Sequence, residues 1–405
     1  MHGRVKCVTP AFRRTARVLA AGLLGTAGLL AATLSPAAAE DSFRIGGIVA
    51  LSGPYAIYGE GMRRGVEMAV AEKGTLLGMP IEVEWEDSQT KPETAVQQAT
   101  KMIAQGADLL FGATASGATV AVMELAKRRK VPLLVTGSAD DRITGADRNR
   151  YTFRTSNQVA TEIGMISRYV AENGIGNVYG VVADVSVFRD AWTALRKEFE
   201  AAGVAVSGED FTTWGSKDFS IIIDKAQKSG ADMVALLLGG GDAITFVKQA
   251  EAVKLAEAMQ IVGPVIMDET LAKAAGDASY GVVSAVRYHF SLDNPANRAF
   301  VAAFREKYGE WPGFTAGEAY DGMRWLLAAI EEAGSTDPEV WIPVFENSVW
   351  EESVEGRKAM RACDHQAAQV NHLARVVKGE APYPPHRMEV IASWPDSALG
   401  LPACD

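Results

Sequence analysis

Few cysteines and histidines occur in the sequence, which limits the chemistry it can carry. Its 405 residues include three cysteines and five histidines. Because no Cys-x-x-Cys pair and no histidine spacing typical of a metal site occurs, no metal site is expected. The Gly-x-Ser-x-Gly elbow of hydrolases is absent, and the Ser-x-x-Lys sequence from Ser88 to Lys91 is followed by Pro92 and lacks its companion motifs. We find no catalytic set and expect neither enzymatic activity nor a cofactor.

Basic residues are also in deficit. The chain has 40 Lys and Arg against 50 Asp and Glu, which gives a formal net charge of -10. Nucleic acids and anionic membrane surfaces favour clustered Lys and Arg, so neither is an expected partner. Hydrophobic residues make up 48% of the chain, which excludes an intrinsically disordered protein and suffices for packed cores.

Long apolar runs are confined to the N-terminus. Residues 1–39 hold five basic and no acidic residues, an uncharged run from Val18 to Leu34, and the small-residue triplet Ala37-Ala38-Ala39. This layout predicts a secretory signal peptide over residues 1–39, cleaved after Ala39. A membrane anchor is the alternative, although the apolar run is barely long enough to span a bilayer. The mature chain is expected in the periplasm.

Two cysteines remain after removal of the signal peptide, which contains Cys7. Cys363 and Cys404 are an even number in an oxidising compartment, so a disulfide between them is expected. Two unpaired thiols are the alternative.

The mature sequence alternates short apolar runs with amphipathic stretches. Continuous apolar runs such as residues 233–238 are typical of parallel strands covered on both faces. The alternation predicts a doubly wound α/β architecture, with enough elements for two sheets. The predicted strands are 44–51, 81–86, 108–112, 131–136, 178–183, 233–238, 260–266 and 281–288. The predicted helices are 59–72, 92–105, 119–129, 162–172, 188–202, 220–228 and 243–254.

A series of short motifs runs in one order along nearly all of the mature chain. They are Ile48 to Gly59, Glu86 to Ser88, Gly112 to Thr119, Val131 to Ala139, Phe153 to Thr155, Lys217 to Ser220, Gly317 to Gly322 and Asp364 to Gln366. No single motif is specific. Together they resemble the branched-chain amino acid-binding (leucine/isoleucine/valine-binding-like) family of ABC transporter substrate-binding proteins, the type I periplasmic binding proteins.

The resemblance implies two Rossmann-like, doubly wound α/β lobes joined by a three-strand hinge. Lobe 1 is expected to comprise residues 41–156 and 287–342, and lobe 2 residues 157–286 and 343–405. A ligand would lie between the lobes, which close around it by hinge motion. The expected partners are a small-molecule ligand and an ABC permease with its ATPase. The protein is expected to be a monomer.

The resemblance also implies ligand-binding residues in lobe 1. Tyr58 would cover the ligand. Ala115 and Ser116 open a helix whose N–H groups and hydroxyl would bind a carboxylate. Ser138, Ala139 and Asp140 would contact the same end of the ligand. Asp140 departs from the family pattern, in which Thr is usual. An ionised Asp at this position would repel a ligand carboxylate.

Lobe 2 would complete the site. Phe188 stands where the family often has Tyr, which makes the cleft more apolar. Gly240 lies in a glycine triplet that leaves room for the ligand. Asp242 and Asp268 lie near strand ends, where one of them would pair with a ligand ammonium group. Solvated helix caps are the alternative role for these two carboxylates.

These observations predict a periplasmic solute-binding protein of an ABC importer. The ligand is left open between an amino acid, an aliphatic or aromatic carboxylate, and an amide. One alternative is a ligand-sensing protein that feeds a membrane receptor. An exported α/β enzyme is the other, for which no catalytic set is present.

Overall fold

The computed structural model describes residues 42–401 and Cys404. The predicted signal peptide lies outside these residues. Among the helices that are described, none combines the length and apolar character needed to cross a bilayer.

The N-terminal part of the chain forms a sheet with the strand order β2-β3-β1-β4-β5-β6. All neighbouring strands are parallel except the short hairpin of β2 and β3. The order reverses between β1 and β4, where an open α/β sheet has its ligand-binding crevice. The strands are β1 (Phe43–Val49), β2 (Thr75–Leu76), β3 (Met79–Asp87), β4 (Leu109–Gly112), β5 (Leu133–Val135) and β6 (Thr152–Arg154), and the helices are α1 (Ala56–Lys73), α2 (Pro92–Ala104) and α3 (Ser116–Arg129).

A second sheet has the order β16-β15-β11-β10-β9-β7-β8. The five strands from β7 to β11 are parallel to one another. β15 pairs antiparallel with β11, and β16 pairs antiparallel with β15. The strands are β7 (Asn177–Ala183), β8 (Ala205–Thr212), β9 (Met233–Leu237), β10 (Gln260–Gly263), β11 (Val283–Val286), β15 (Val370–Lys378) and β16 (His386–Pro395). The helices are α4 (Val159–Glu172), α5 (Ser186–Ala201), α6 (Ser220–Lys228), α7 (Gly240–Ala252) and α8 (Glu269–Ala275).

The segment between β11 and β15 packs largely on the first sheet. It contains α9 (Pro295–Tyr308), α10 (Phe314–Ala333), α11 (Pro338–Glu346), β12 (Val349–Trp350), β13 (Lys358–Met360) and β14 (Ala367–Ala368). The last three strands form a small antiparallel sheet. Phe153 of β6 packs against Trp341 and Phe345 of α11, with ring centroids 5.8 and 5.2 Å apart.

The lobe boundary expected at residue 343 differs from this packing. Pro343 lies inside α11, and residues 343–368 continue along the first lobe: the ring of His365 stacks on Phe153 at 4.2 Å. The chain therefore passes between the sheets after β6, after β11 and between β14 and β15. The third passage therefore lies later in the chain than the resemblance implies.

Every strand and helix named in the sequence analysis is present, with ends that differ by a few residues. The apolar runs form central strands; all five residues of β9 are buried. The disulfide expected between Cys363 and Cys404 is present, and it ties the C-terminal tail to the segment before β14.

Candidate functional site

Two tyrosines at the start of α1 cross the cleft to the second lobe. The Tyr58 hydroxyl accepts a hydrogen bond from the N–H of Gly240 at 3.0 Å and donates to the carbonyl of Val265 at 3.4 Å. The Tyr55 ring packs edge-on against Trp214, with centroids 4.8 Å apart. These contacts join the lobes, so the cleft is closed over an interior space.

This space lies between the two lobes and opens to solvent. Its lining is largely apolar and aromatic, and its polar side chains include those of Thr114, Ser116, Glu162, Arg287 and Thr315. Such a combination of apolar walls and a few polar groups is typical of a small-molecule site. The lining residues are Tyr55, Tyr58, Thr114, Ser116, Gly137, Ala139, Glu162, Val187, Phe188, Gly239, Pro264, Val265, Arg287, Phe314 and Thr315.

The N-terminus of α3 forms one polar end of the cavity. Ala115 is the N-cap in extended conformation, and its side chain makes no capping bond. The first helical N–H groups have no partner within a helix, and the helix dipole favours an anion beside them. Because Ser116 lines the cavity, its hydroxyl and these N–H groups are placed to bind a carboxylate.

An ion pair forms a second polar region. Arg287, which directly follows β11, donates through Nε to Oε1 of Glu162 at 2.9 Å, and its Nη2 lies 2.8 Å from the same oxygen. Its Nη1 donates to the carbonyl of Gly137 at 2.8 Å and lies 4.0 Å from Glu318. Burial raises the pKa of Glu162, while the charge of Arg287 opposes that rise.

Burial also disfavours the charged form of Arg287, yet the carboxylates of Glu162 and Glu318 outweigh it and raise the pKa of Arg287. The arginine is therefore charged at every physiological pH. It joins both lobes, because Gly137 follows β5 and Glu162 belongs to α4.

Four of the predicted site residues line the cavity: Tyr58, Ser116, Ala139 and Phe188. Two further predicted residues lie next to these four cavity residues. Ala115 caps the helix that begins at Ser116, and Gly240 donates to the Tyr58 hydroxyl.

The other predicted side chains are turned towards the protein. Ser138 donates to the carbonyl of Ala113 at 2.7 Å, and its hydroxyl lies 2.6 Å from that of Thr119. Asp140 accepts from the N–H of Arg142 and pairs with its guanidinium at 2.7 Å. These contacts resolve the predicted conflict between Asp140 and a ligand carboxylate, because the Asp140 side chain is not among those that line the cavity.

The two acidic residues expected to meet a ligand ammonium group are engaged by backbone N–H groups. Asp242 accepts from Gly215 at 2.8 Å. Asp268 caps α8 through Leu271 at 2.8 Å and accepts from Phe314 of the other lobe at 3.3 Å. Neither lines the cavity, so the alternative role of helix cap or loop anchor describes them better.

Sequence reasoning missed Tyr55, Glu162, Arg287 and Phe314. Glu162 lies in the first turn of α4, where an acidic residue is common in any helix. Arg287 lies 125 residues further along the chain. Only the fold brings the two together, although an arginine directly after a buried strand was a signal that a charge is held inside.

Comparisons with known proteins place the chain in a family. The family model described as periplasmic binding protein matches residues 42–381. The Leu/Ile/Val-binding protein homolog 6 of Brucella melitensis is 29% identical over 306 residues, which cover 74% of this chain and 78% of that protein.

Two solved structures are solute-binding proteins of ABC transporters from Rhodopseudomonas palustris. One, in complex with 3,4-dihydroxybenzoic acid, has a TM-score of 0.82 and 26% identity, covering 88% of this chain and 98% of its own. The other, in complex with 4-hydroxybenzoate, has a TM-score of 0.81 and 27% identity, covering 87% and 97%. The two-lobed α/β fold and the resemblance inferred from the motifs are thereby confirmed. The chain belongs to the periplasmic binding protein family, as a solute-binding protein of an ABC importer.

Proposed function

We propose that this solute-binding protein captures a small aromatic carboxylate. The observation that carries the proposal is the closed cavity, whose walls include the rings of Tyr58, Phe188 and Phe314 and whose polar end is the first turn of α3. The ligand carboxylate would accept hydrogen bonds from Ser116 and the N–H groups beside it. The ring would lie among the aromatic side chains, where offset and edge-on contacts are favourable.

The charges of the cavity favour a carboxylate without an ammonium group. Asp242 and Asp268 are bound to backbone N–H groups. Glu162 is paired with Arg287, whose positive charge would repel a ligand ammonium at the same place. Two relatives at 26% and 27% identity are described with hydroxybenzoates bound, which supports the same ligand class.

The remaining parts of the proposal concern the whole protein. The precursor is exported, cleaved after Ala39, and works in the periplasm as a monomer. It delivers its ligand to a membrane permease and the ATPase that drives it. Intact mass and light scattering of protein purified from the periplasm would measure the N-terminus and the oligomeric state.

Calorimetric titration of the mature protein, residues 40–405, tests the ligand class. We expect benzoate and hydroxybenzoates to bind and to raise the melting temperature. Benzamide keeps the ring but lacks the negative charge, and leucine keeps the carboxylate but adds an ammonium group, so both should bind at least about tenfold more weakly. Binding of leucine as tight as that of benzoate, or no binding of any aromatic carboxylate, would overturn the proposal.

A further inference from the structure

Only one of the two carboxylate oxygens of Glu162 is hydrogen-bonded to another group of the described residues. Its contacts with Arg287 are all made through Oε1. Among residues 42–401, no N–H or O–H group donates to Oε2. A carboxylate can accept about four hydrogen bonds, and Glu162 lines the cavity. Oε2 is therefore an acceptor that the fold leaves to a bound molecule.

The negative charge of this carboxylate is balanced by Arg287. Arg287 lies 2.8 Å from the same carboxylate and stays within the cavity wall because its Nη1 is held by the carbonyl of Gly137. A second cation placed at Oε2 would meet the guanidinium a few ångströms away. A neutral O–H donor would gain the hydrogen bond without that repulsion.

We infer that Glu162 is a specificity-determining residue that accepts a hydrogen bond from a hydroxyl group of the ligand. The inference rests on the proposed capture of an aromatic carboxylate and narrows it to hydroxy-substituted members of that class. Ser116 and the N-terminus of α3 bind the carboxylate. The ring is enclosed by Tyr58, Phe188 and Phe314. Glu162 accepts a hydrogen bond from the hydroxyl. Arg287 is the positioning residue that holds Oε1 and keeps Oε2 directed at the ligand.

The cost of a missing hydroxyl follows from burial. Both side chains of the pair are buried, at 6% and 3% exposure for Arg287 and Glu162. A ligand that fills the cavity without donating to Oε2 leaves a buried acceptor unpaired. Sites built to bind a ligand O–H reject analogues that lack it far more strongly than sites that recognise shape alone.

A set of para-substituted benzoates tests the inference. Calorimetry on the mature protein would compare 4-hydroxybenzoate, 4-fluorobenzoate and benzoate, since fluorine is close in size to hydroxyl but donates no hydrogen bond. We expect 4-hydroxybenzoate to bind at least about tenfold more tightly than the other two. In Glu162→Gln this preference should fall below about threefold. Glu172→Gln, the same change at an exposed position of α4, is the matched control and should keep the wild-type preference.

The outcomes separate this inference from the proposed function. If the three ligands bind the wild-type protein equally well, the role of Glu162 is overturned and the aromatic carboxylate stands. If a hydroxyl preference persists unchanged in Glu162→Gln, another residue reads the hydroxyl. If no benzoate binds, the proposed function itself fails. The ligand series on the wild-type protein can still overturn the inference if Glu162→Gln does not fold.

Discussion

At the scale of single residues, Ser116 is the group that the proposed function needs most directly. Its hydroxyl lies in the cavity at the start of α3, and helix N-termini favour anions. Ser116→Ala should weaken binding of benzoate by about 1–3 kcal/mol, roughly 5- to 150-fold, because one hydrogen bond to a charged group is lost. Calorimetric titration measures the change.

The control for this substitution is Ser186→Ala. Ser186 also begins a helix, α5, but it is exposed and lies outside the cavity lining. It should bind benzoate like the wild-type protein. An unchanged affinity in Ser116→Ala would contradict the assignment of the carboxylate to this helix end.

Asp268 makes stability depend on pH. Burial raises its pKa to about 7 from an ordinary value of 3.8. Between these values the folded protein holds a proton at Asp268 that the unfolded chain releases, so this residue lowers the free energy of unfolding as pH rises from about 4 to about 7. The fall should be on the order of 1–4 kcal/mol.

Asp268→Asn should remove that part of the pH dependence. Asparagine can still cap α8. Urea unfolding at pH 4.5 and pH 7.5 would show the variant gaining stability relative to wild type at the higher pH. Asp224→Asn, at an exposed position of α6, should leave the difference between the two pH values as in wild type. The same change in the free energy of unfolding between the two pH values in wild type and Asp268→Asn would refute the expectation.

The family resemblance, together with the strand-to-helix junctions, predicted the site in part. Strand ends before helices indicated where ligand groups would lie, and Tyr58, Ser116, Ala139 and Phe188 do line the cavity. The direction of a side chain at such an end depends on its neighbours in space. Asp140 faces Arg142, two residues away, and no pattern in the sequence distinguishes that arrangement from one facing the ligand.

At the scale of elements, continuous apolar runs were the reliable signal. β9 is buried at every position, whereas the edge strand β8 alternates exposed and half-buried residues and contains Gly208. Its polar residues leave no continuous apolar run, and it was not among the predicted strands. α10 was not among the predicted helices, and it contains Gly317 and Gly322, which lower helix propensity.

The glycines of α10 serve close packing. A Cβ atom at Gly317 would lie 2.3 Å from the ring of Tyr288, and one at Gly322 would lie 2.3 Å from the hydroxyl oxygen of Thr155. The two glycines lower the helix propensity of α10, but they allow the helix to pack closely against the hinge region. Propensity alone cannot show this, because the partner lies far away in sequence.

The start of α7 controls closure of the cleft. A Cβ atom at Gly240 would lie 2.5 Å from the carbonyl oxygen of Pro54 in the other lobe, and Gly240 has a φ of +55°. Gly240→Ala should therefore prevent full closure and weaken ligand binding by about 1–3 kcal/mol. Calorimetry gives the affinity, and small-angle scattering with ligand gives the degree of closure.

Gly241→Ala is the matched control for this prediction. A Cβ atom at Gly241 meets no described atom within 4 Å, so the same change one residue later should leave closure and affinity unaltered. Equal effects of both variants would mean that α7 itself, and not contact between the lobes, had been disturbed.

At the scale of the whole molecule, the hinge is a buried polar region. Arg154 is fully buried and donates to Gln366 at 2.6 Å and to the carbonyl of Asp140 at 2.7 Å. Lys358, also fully buried, donates to the carbonyl of Thr155 at 2.9 Å. These bonds join the first passage to residues 358–366, which lead into the third passage, so these parts of the chain are fixed to one another by side chains and not only by the backbone.

The disulfide extends this connection to the C-terminus. Cys363 and Cys404 are 41 residues apart in sequence, and the enclosed segment contains the third passage between the lobes together with β15 and β16. In the chain-entropy model, a loop of this length stabilises the folded state by about 4 kcal/mol. Replacing both cysteines by serine should lower the free energy of unfolding by about that amount.

Urea unfolding of the double variant, beside wild type with and without reductant, measures this contribution. Reduced wild-type protein should unfold like the variant. Ligand affinity should change little, because neither cysteine lines the cavity between the lobes. A loss of affinity as large as the loss of stability would contradict this separation, since it would mean that the tail sets the geometry of the closed cleft through the third passage.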